Sequence, residues 1–421
     1  MLDIKFIREN TEKVKAGIKS KKVNIDIDLL LDLDRKRREV LGEAESLKAE
    51  RNTLTKLISA MRGQGEEAEK AKENSRLIGE RIAKLDGDLR FTESNIKDIM
   101  MTVPNLPHDS VPKGESAEQN KVVKEAGEKR DFGFKPKDHL ELTEKLGIMD
   151  FKRASRMSGS GFPLYIGKGA TLERALINYM LDFHIKDGYR EIIPPIMALP
   201  SAMEGTSQLP KLQEDMYFCE KDDLYLIPTG EVTITNIHRE EIMNPDKLPL
   251  YYVGYTPCFR REAGSYGKET KGLLRVHQFN KVEMVKFVKP ETSYDELEDM
   301  VKRVERILSE LGIPYRILEL CTGDLSFGAA KCYDIETWSA AEDKYLEASS
   351  CSNFTDFQAR RMDLRYRPEP GAKPEFIHTL NGSGLATSRL MVSLLEHYQN
   401  EDGTITVPEV LRKYTEFDVI D

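Results

Sequence analysis

The sequence predicts an α+β protein: an antiparallel-sheet domain preceded by an N-terminal α-helical antiparallel coiled-coil arm. Three observations lead there. Apolar residues recur at heptad spacing in two successive stretches of the N-terminal quarter. Farther on, two β-prone runs, 251–259 and 273–288, flank a loop holding Gly264, Gly267 and Gly272. That loop is too long for a two-residue hairpin turn, so the runs read as antiparallel strands with a long connection. Near the end, 376–380 reads as a short strand, Asn381-Gly-Ser-Gly as a turn and 385–399 as a helix.

Residues 1–25 carry short apolar pieces (Leu2, Ile4, Phe6, Ile7, Val14, Ile18), consistent with small packed helices. The first heptad seam then runs Leu33, Arg37, Val40, Ala44, Leu47, Arg51, Leu54, Ile58, Met61. After Gly63-Gln64-Gly65 a second runs Ala68, Ala71, Ser75, Ile78, Ile82, Leu85, Leu89, Thr92, Ile96, Ile99. Two such helices joined by a glycine-bearing turn make a hairpin, an arm of about residues 30–99 in a domain spanning 1–103. Its first helix would be on the order of 45 Å long, enough to project from a globular body. Charges on a coiled coil are usually a solvated face. Between 46 and 62, however, Lys48, Arg51, Lys56 and Arg62 face the single acid Glu50 in a chain of net charge −9. Overall charge would repel nucleic acid, so RNA binding has to come from a local basic surface such as this one.

Pro104, Pro107, Pro112 and Gly114, followed by a polar stretch, read as a linker over 104–135, leaving 136–421 as the second domain. There, 169–189 is an amphipathic helix with Leu172, Ala175, Leu176, Tyr179, Met180 and Phe183 on one stripe, leading to a strand that ends at Pro194-Pro195. A second helix, 293–311, has Ser293 and Glu296 at capping-box spacing and Gly312 as its stop.

Composition excludes several classes. No apolar run approaches the roughly 20 residues of a membrane span, and the charged N-terminus is unlike a signal peptide. Five scattered cysteines without a Cys-x-x-Cys pair predict a reduced, cytoplasmic protein with neither structural nor catalytic zinc. There is no Gly-x-x-x-x-Gly-Lys-Ser/Thr loop, no dinucleotide-binding Gly-x-Gly-x-x-Gly and no Ser-His-Asp arrangement. What does stand out lies on the paired runs. Alternation along a strand puts Arg275, Phe279 and Glu283 on one face, opposite Arg260 and Glu262 of the neighbouring run. Guanidinium groups on a rigid sheet beside an aromatic ring suit a nucleoside triphosphate.

Phe259-Arg260-Arg261-Glu262, with Arg275 and Phe279 downstream, resembles motif 2 of the class II aminoacyl-tRNA synthetases. Thr229-Gly230-Glu231 upstream and Asn381-Gly-Ser-Gly-Leu-Ala386 downstream make the whole chain similar to the seryl branch of that family. The helix and strand at 169–195 resemble motif 1, and the strand, turn and helix at 376–399 resemble motif 3.

The resemblance implies a class II catalytic domain in a homodimeric ligase. It would activate L-serine with ATP and Mg²⁺ and then load tRNA(Ser) and, as the family commonly does, tRNA(Sec). Arg260, Arg275 and Arg389 would be the catalytic phosphate-binding arginines. Phe279 would stack on adenine beneath Arg389, with Glu262 accepting from the adenine amino group. Arg261, Val276, Ala348 and Ser349 would complete the ATP site, and Glu347 and Ser350 would hold Mg²⁺. Thr229, Gly230 and Glu231 would surround the serine ammonium, with Glu283, Asn381 and Ser383 completing the pocket and Glu283 and Ser383 on the hydroxyl. Gly230 stands where alanine is commoner, and Ala348 where a larger aliphatic residue is usual. Lys48, Arg51, Lys56, Arg62 and Arg76 on the arm, with Lys268 and Lys271 in the connecting loop, would touch tRNA. The chemistry is consistent with these residue types: a carboxylate attacking a phosphate is already ionised, so positioning and charge screening matter more than a general base. Two other readings are a relative that loads a protein carrier and a coiled-coil interaction protein with a dead catalytic domain. The first would lack the arm and the second would lack the arginines.

Overall fold

The computed structural model describes residues 1–61, 64–263 and 271–421, so Arg62, Gly63, Gly264, Gly267 and Lys268 lie outside the described residues. The chain forms two compact units, Met1–Pro104 and Asn105–Asp421.

In the first unit, helices α1 (Ile4–Glu9) and α2 (Thr11–Ser20) precede the long helices α3 (Ile27–Ala60) and α4 (Glu66–Thr102). Asp3 caps α1 by accepting from the Lys5 and Phe6 N–H groups, and Asp26 caps α3 through Leu29. Ala44, Ala68, Ala71, Ile82, Leu85, Thr92 and Ile96 are buried at heptad positions, whereas Arg51 of the expected seam is exposed. The two helices are also laced across their faces by Lys48–Asp86 (3.0 Å) and Arg81–Glu43 (2.8 Å). At the base, Asp34 is fully buried and takes Arg8 at 2.7 Å, Arg37 at 2.9 Å and Arg38 at 3.2 Å. Burial alone would raise its carboxyl, but the hydrogen bonds from Arg8 and Arg37 hold it below the usual carboxylate range.

The second unit is built on one sheet whose strands we number β1 (Lys121–Ala126), β2 (Arg190–Glu191), β3 (Leu250–Phe259), β4 (Gln278–Val288), β5 (Tyr315–Glu319), β6 (Lys331–Ser339), β7 (Lys344–Thr355) and β8 (His378–Ala386). Their spatial order is β1-β5-β6-β7-β8-β4-β3-β2, antiparallel except for the final pair. Helices α5 (Lys168–Lys186), α6 (Ser293–Glu310) and α7 (Thr387–His397) contribute Leu172, Leu176, Met180, Val304, Ile307 and Leu394 to a core shared with Val282 and Met284 of β4.

Four sequence expectations change. The stretch read as a linker is tied to the body: Asn105 donates to the Gly328 and Phe354 carbonyls, and β1 pairs along β5. Polar composition there reflects a sheet edge, on which every residue from Lys121 to Glu125 is exposed. The strand expected from 273 begins at Gln278, because Leu273 and His277 give their N–H groups to His139 and Gly161 outside the sheet. Arg275 therefore precedes the strand and does not share its alternation. Asn381-Gly-Ser-Gly is not a turn but the middle of β8, with an irregularity in register between Ser383 and Leu385. The helix α6 has Thr292 at its cap without a side-chain bond, and Ser293 donates to the Pro290 carbonyl, so no capping box forms.

Candidate active site

Strands β4, β6, β7 and β8, the segment after β3 and the first turn of α7 surround a cleft of about 570 Å³. One end of it is acidic. Phe279, Lys281 and Glu283 line the cleft from alternate positions of β4, as strand geometry requires. The Glu283 carboxylate lies 2.5 Å from the Lys281 ammonium and accepts from Asn381 Nδ2 at 2.8 Å and Thr229 Oγ1 at 3.4 Å. Thr229 Oγ1 in turn accepts from Lys281 Nζ at 2.7 Å and from the Glu231 N–H at 3.2 Å. Glu231 is buried and accepts from Gln358 at 2.6 Å and Gln208 at 3.5 Å. Burial, and then the charge of Glu283, push its carboxyl up to about 7. Gly230 lies under this group: a Cβ there would stand 3.1 Å from both Glu283 Cβ and Thr256 Oγ1. Ser383 lines the same end, and its carbonyl accepts from Ser349 Oγ at 2.7 Å.

The other end is cationic. Arg260 follows directly on β3, bonds the Pro228 carbonyl at 3.3 Å and holds its guanidinium 5.1 Å from the Phe279 ring centre. Arg275 donates to Glu262 at 2.5 Å. Arg389, in the first turn of α7, donates to the carbonyls of Leu274 (3.2 Å) and Glu347 (2.9 Å) and lies 3.5 Å from the Glu347 carboxylate. The three arginines therefore converge from three separate elements, each already oriented by an acceptor. Val276, Glu347, Ala348, Ser349 and Ser350 line the cleft with them. Arg261 does not: it lines a neighbouring groove, its N–H given to the Asp215 carbonyl at 2.9 Å.

Asp334 on β6 pairs in register with Ser350 on β7. Burial, and then the charge of Glu347, hold its carboxyl well above the usual range. Hard oxygens thus gather beside the arginines, a donor set that fits Mg²⁺ carried with phosphates. Among the described residues no group of three or more His, Cys, Asp or Glu could hold a metal by itself.

Lys281, Gln358, Gln208 and Asp334 belong to the site but were not anticipated. Alternation with Phe279 and Glu283 could have flagged Lys281. The others arrive through tertiary pairing that leaves no mark in local sequence. On the arm, Lys48 and Arg76 are engaged by acids, Arg76 with Glu73 (2.7 Å) and Glu80, whereas Arg51 and Lys56 form no ion pair among the described residues. Lys271 is exposed.

Comparison with known proteins places these features in a family. Residues 217–398 match the tRNA synthetase class II core domain (G, H, P, S and T), and residues 1–107 match the seryl-tRNA synthetase N-terminal domain. The serine–tRNA ligase of Chloroherpeton thalassium is 54% identical, with all of both chains covered. That of Carboxydothermus hydrogenoformans is 51% identical over all of this chain and 99% of its own. Among solved structures, seryl-tRNA synthetase from Pyrococcus horikoshii complexed with ATP superposes with a TM-score of 0.94 at 40% identity, covering 100% of this chain and 99% of that one. The cytoplasmic serine–tRNA ligase of Naegleria fowleri in complex with AMP gives 0.89 at 31%, with the same coverage.

Proposed function

The chain belongs to the seryl-tRNA synthetases and is a serine–tRNA ligase that binds ATP; we propose that Arg260, Arg275 and Arg389 hold the triphosphate while Glu231, Glu283 and Ser383 hold serine. The observation carrying this reading is the polarity of one cleft, three arginines at one end and two buried glutamates at the other. The serine ammonium lies against Glu231 and Thr229, and its hydroxyl against Glu283 and Ser383. Its carboxylate then points towards the arginines, where it attacks the α-phosphorus and pyrophosphate departs. No base is needed, since the nucleophile is already ionised. Arg260 offsets charge on the α-phosphate as it gains its fifth ligand, Arg275 holds the γ-phosphate of the leaving group, and Arg389 closes over the nucleotide from the other side. Phe279, already under a guanidinium, offers the adenine a stacking face. In the second step the tRNA's terminal ribose hydroxyl attacks the seryl carbonyl and AMP leaves.

Glu347 and Ser350, with Asp334 beside them, are the residues that would hold Mg²⁺, which when bound neutralises phosphate charge. A pocket built around a hydroxyl rejects alanine by about 10⁴ or more, because its polar groups would be left unpaired. The basic part of the α3–α4 hairpin takes the tRNA(Ser) body, and tRNA(Sec) is assigned on family resemblance alone. A second copy covers the apolar residues after α5, of which Ile193 is 91% and Leu199 57% exposed. Free thiols at all five cysteines suit the reducing cytoplasm. Pyrophosphate exchange measured across the amino acids tests the core of this reading. Serine alone should support it, and equal exchange with threonine or alanine would refute the pocket assignment.

A further inference from the structure

A second groove, of about 620 Å³, opens beside the cleft and shares one lining residue with it. Met216 lines both, and Asp215, on the wall of the cleft, binds the Arg261 N–H through its carbonyl. The groove is walled by Lys211, Glu214, Phe218, Tyr225 and Arg261. Phe218 and Tyr225 are paired across a short hairpin, with ring centres 4.6 Å apart. Tyr225 is buried, so it fixes the ring of Phe218, which remains 46% exposed. Two cations face one acid there, in a chain of net charge −9. Arg261 forms no ion pair among the described residues, and Lys211 has its ammonium 5.6 Å over the Phe327 ring.

We propose that this groove seats the unpaired 3′ end of the tRNA, a base stacking on Phe218 while Lys211 and Arg261 take the adjoining phosphates. Single-stranded nucleic acid is held by this combination of a fixed aromatic face and flanking cations. The second step also demands such a place, since the terminal ribose must reach the seryl adenylate while the preceding nucleotides lie outside the cleft. Continuity through Met216 puts the groove where that strand enters. The proposal rests on the tRNA reading above and adds to it the path of the acceptor strand.

The test uses the full chain with the single variants Phe218→Ala, Phe218→Trp and Lys211→Ala. Serine-dependent pyrophosphate exchange is measured beside charging of tRNA(Ser), together with affinity for intact tRNA(Ser) and for tRNA(Ser) trimmed of its unpaired 3′ nucleotides. Phe218→Ala should lower kcat/KM for tRNA about tenfold while exchange stays within about twofold of the parent, and Phe218→Trp should restore charging. Lys211→Ala should weaken tRNA use and its salt dependence together. In Phe218→Ala the advantage of intact over trimmed tRNA should disappear. Parent-like charging by Phe218→Ala and Lys211→Ala, or a preserved advantage, overturns the groove assignment alone. Equal loss of exchange and charging would place the groove in adenylate formation and also overturn it. A parent that exchanges but charges no tRNA would sink the tRNA reading, and this proposal with it.

Discussion

Lys281 Nζ stands 2.5 Å from the Glu283 carboxylate, inside β4 and almost wholly out of contact with solvent. A buried pair of this kind is easily damaged by removing one partner, because the other is left charged and unmatched. Here the pair also orients an oxygen towards the place assigned to the serine hydroxyl. Glu283→Ala should raise the serine KM or lower kcat in exchange by on the order of 10- to 100-fold, with the ATP KM little changed. Thermal stability should fall too, by on the order of 3 kcal/mol, as Lys281 loses its partner. Glu283→Gln, which keeps the side chain's shape, separates the two effects. An unchanged serine dependence in both variants rejects the assignment.

Glu231, if it holds the serine ammonium as proposed, should make serine use sensitive to pH. Its carboxyl is pushed up to about 7 by burial and then by Glu283. The ammonium of serine needs the ionised form, which predominates above that value and is lost as pH falls through it. kcat/KM for serine, which reports the free enzyme, should therefore decline on the acid side of about 7. Glu231→Gln should weaken serine use and flatten that limb. A profile unaltered by the substitution would assign the titration to another group.

Arg389 tests the phosphate end. Its helix is held by Leu390, Met391 and Leu394, all buried, so Arg389→Ala should fold with nearly parental thermal stability. Exchange should fall by about a thousandfold, the scale for removing a preorganised charge donor from a reacting centre. Parental exchange in a folded variant would remove Arg389 from the site.

The arm should separate RNA recognition from activation. Replacing residues 47–85 with a short Gly-Ser turn leaves Asp34 and its three arginines in place, together with buried Thr92, Ile96 and Met100. Serine-dependent exchange should survive and charging of tRNA should nearly vanish. In the parent, tRNA affinity should fall with salt as phosphate contacts require. Equal charging by the shortened chain would make the arm a structural or partner-binding element.

Much of the cleft's lining was legible because its polar residues are concentrated in short runs. Arg260, Glu262, Phe279 and Glu283 lie within or directly beside two paired strands, and alternation alone relates the last two. Heptad spacing likewise anticipated which arm residues would be covered, with Arg51 the exception. The turn assigned to Asn381-Gly-Ser-Gly failed for a packing reason. A Cβ at Gly382 would stand 2.8 Å from Cys351 Sγ, and one at Gly384 2.6 Å from His184 Nε2. These glycines permit close approach of a neighbouring strand at Gly382 and of helix α5 at Gly384, a use that composition does not distinguish from turning. Asp334 and Gln358 were illegible for another reason: strand pairing with a distant segment brings Asp334 to the cleft, and tertiary packing brings Gln358 to Glu231.

The sheet edge formed by β1 has a consequence during synthesis. Residues 1–104 close on contacts within themselves, whereas β1 finds its partner only in β5, at Tyr315–Glu319. At about 5–20 residues per second, the emerging β1 waits on the order of 10 to 40 s for that partner. Throughout that interval Val122 and Val123 belong to an unmatched β-prone segment, yet the strand presents Lys121, Lys124 and Glu125 beside them. Those charges oppose edge-to-edge pairing of two copies before either sheet is complete, and in the finished domain Lys124 and Glu125 engage Glu305 and Tyr345.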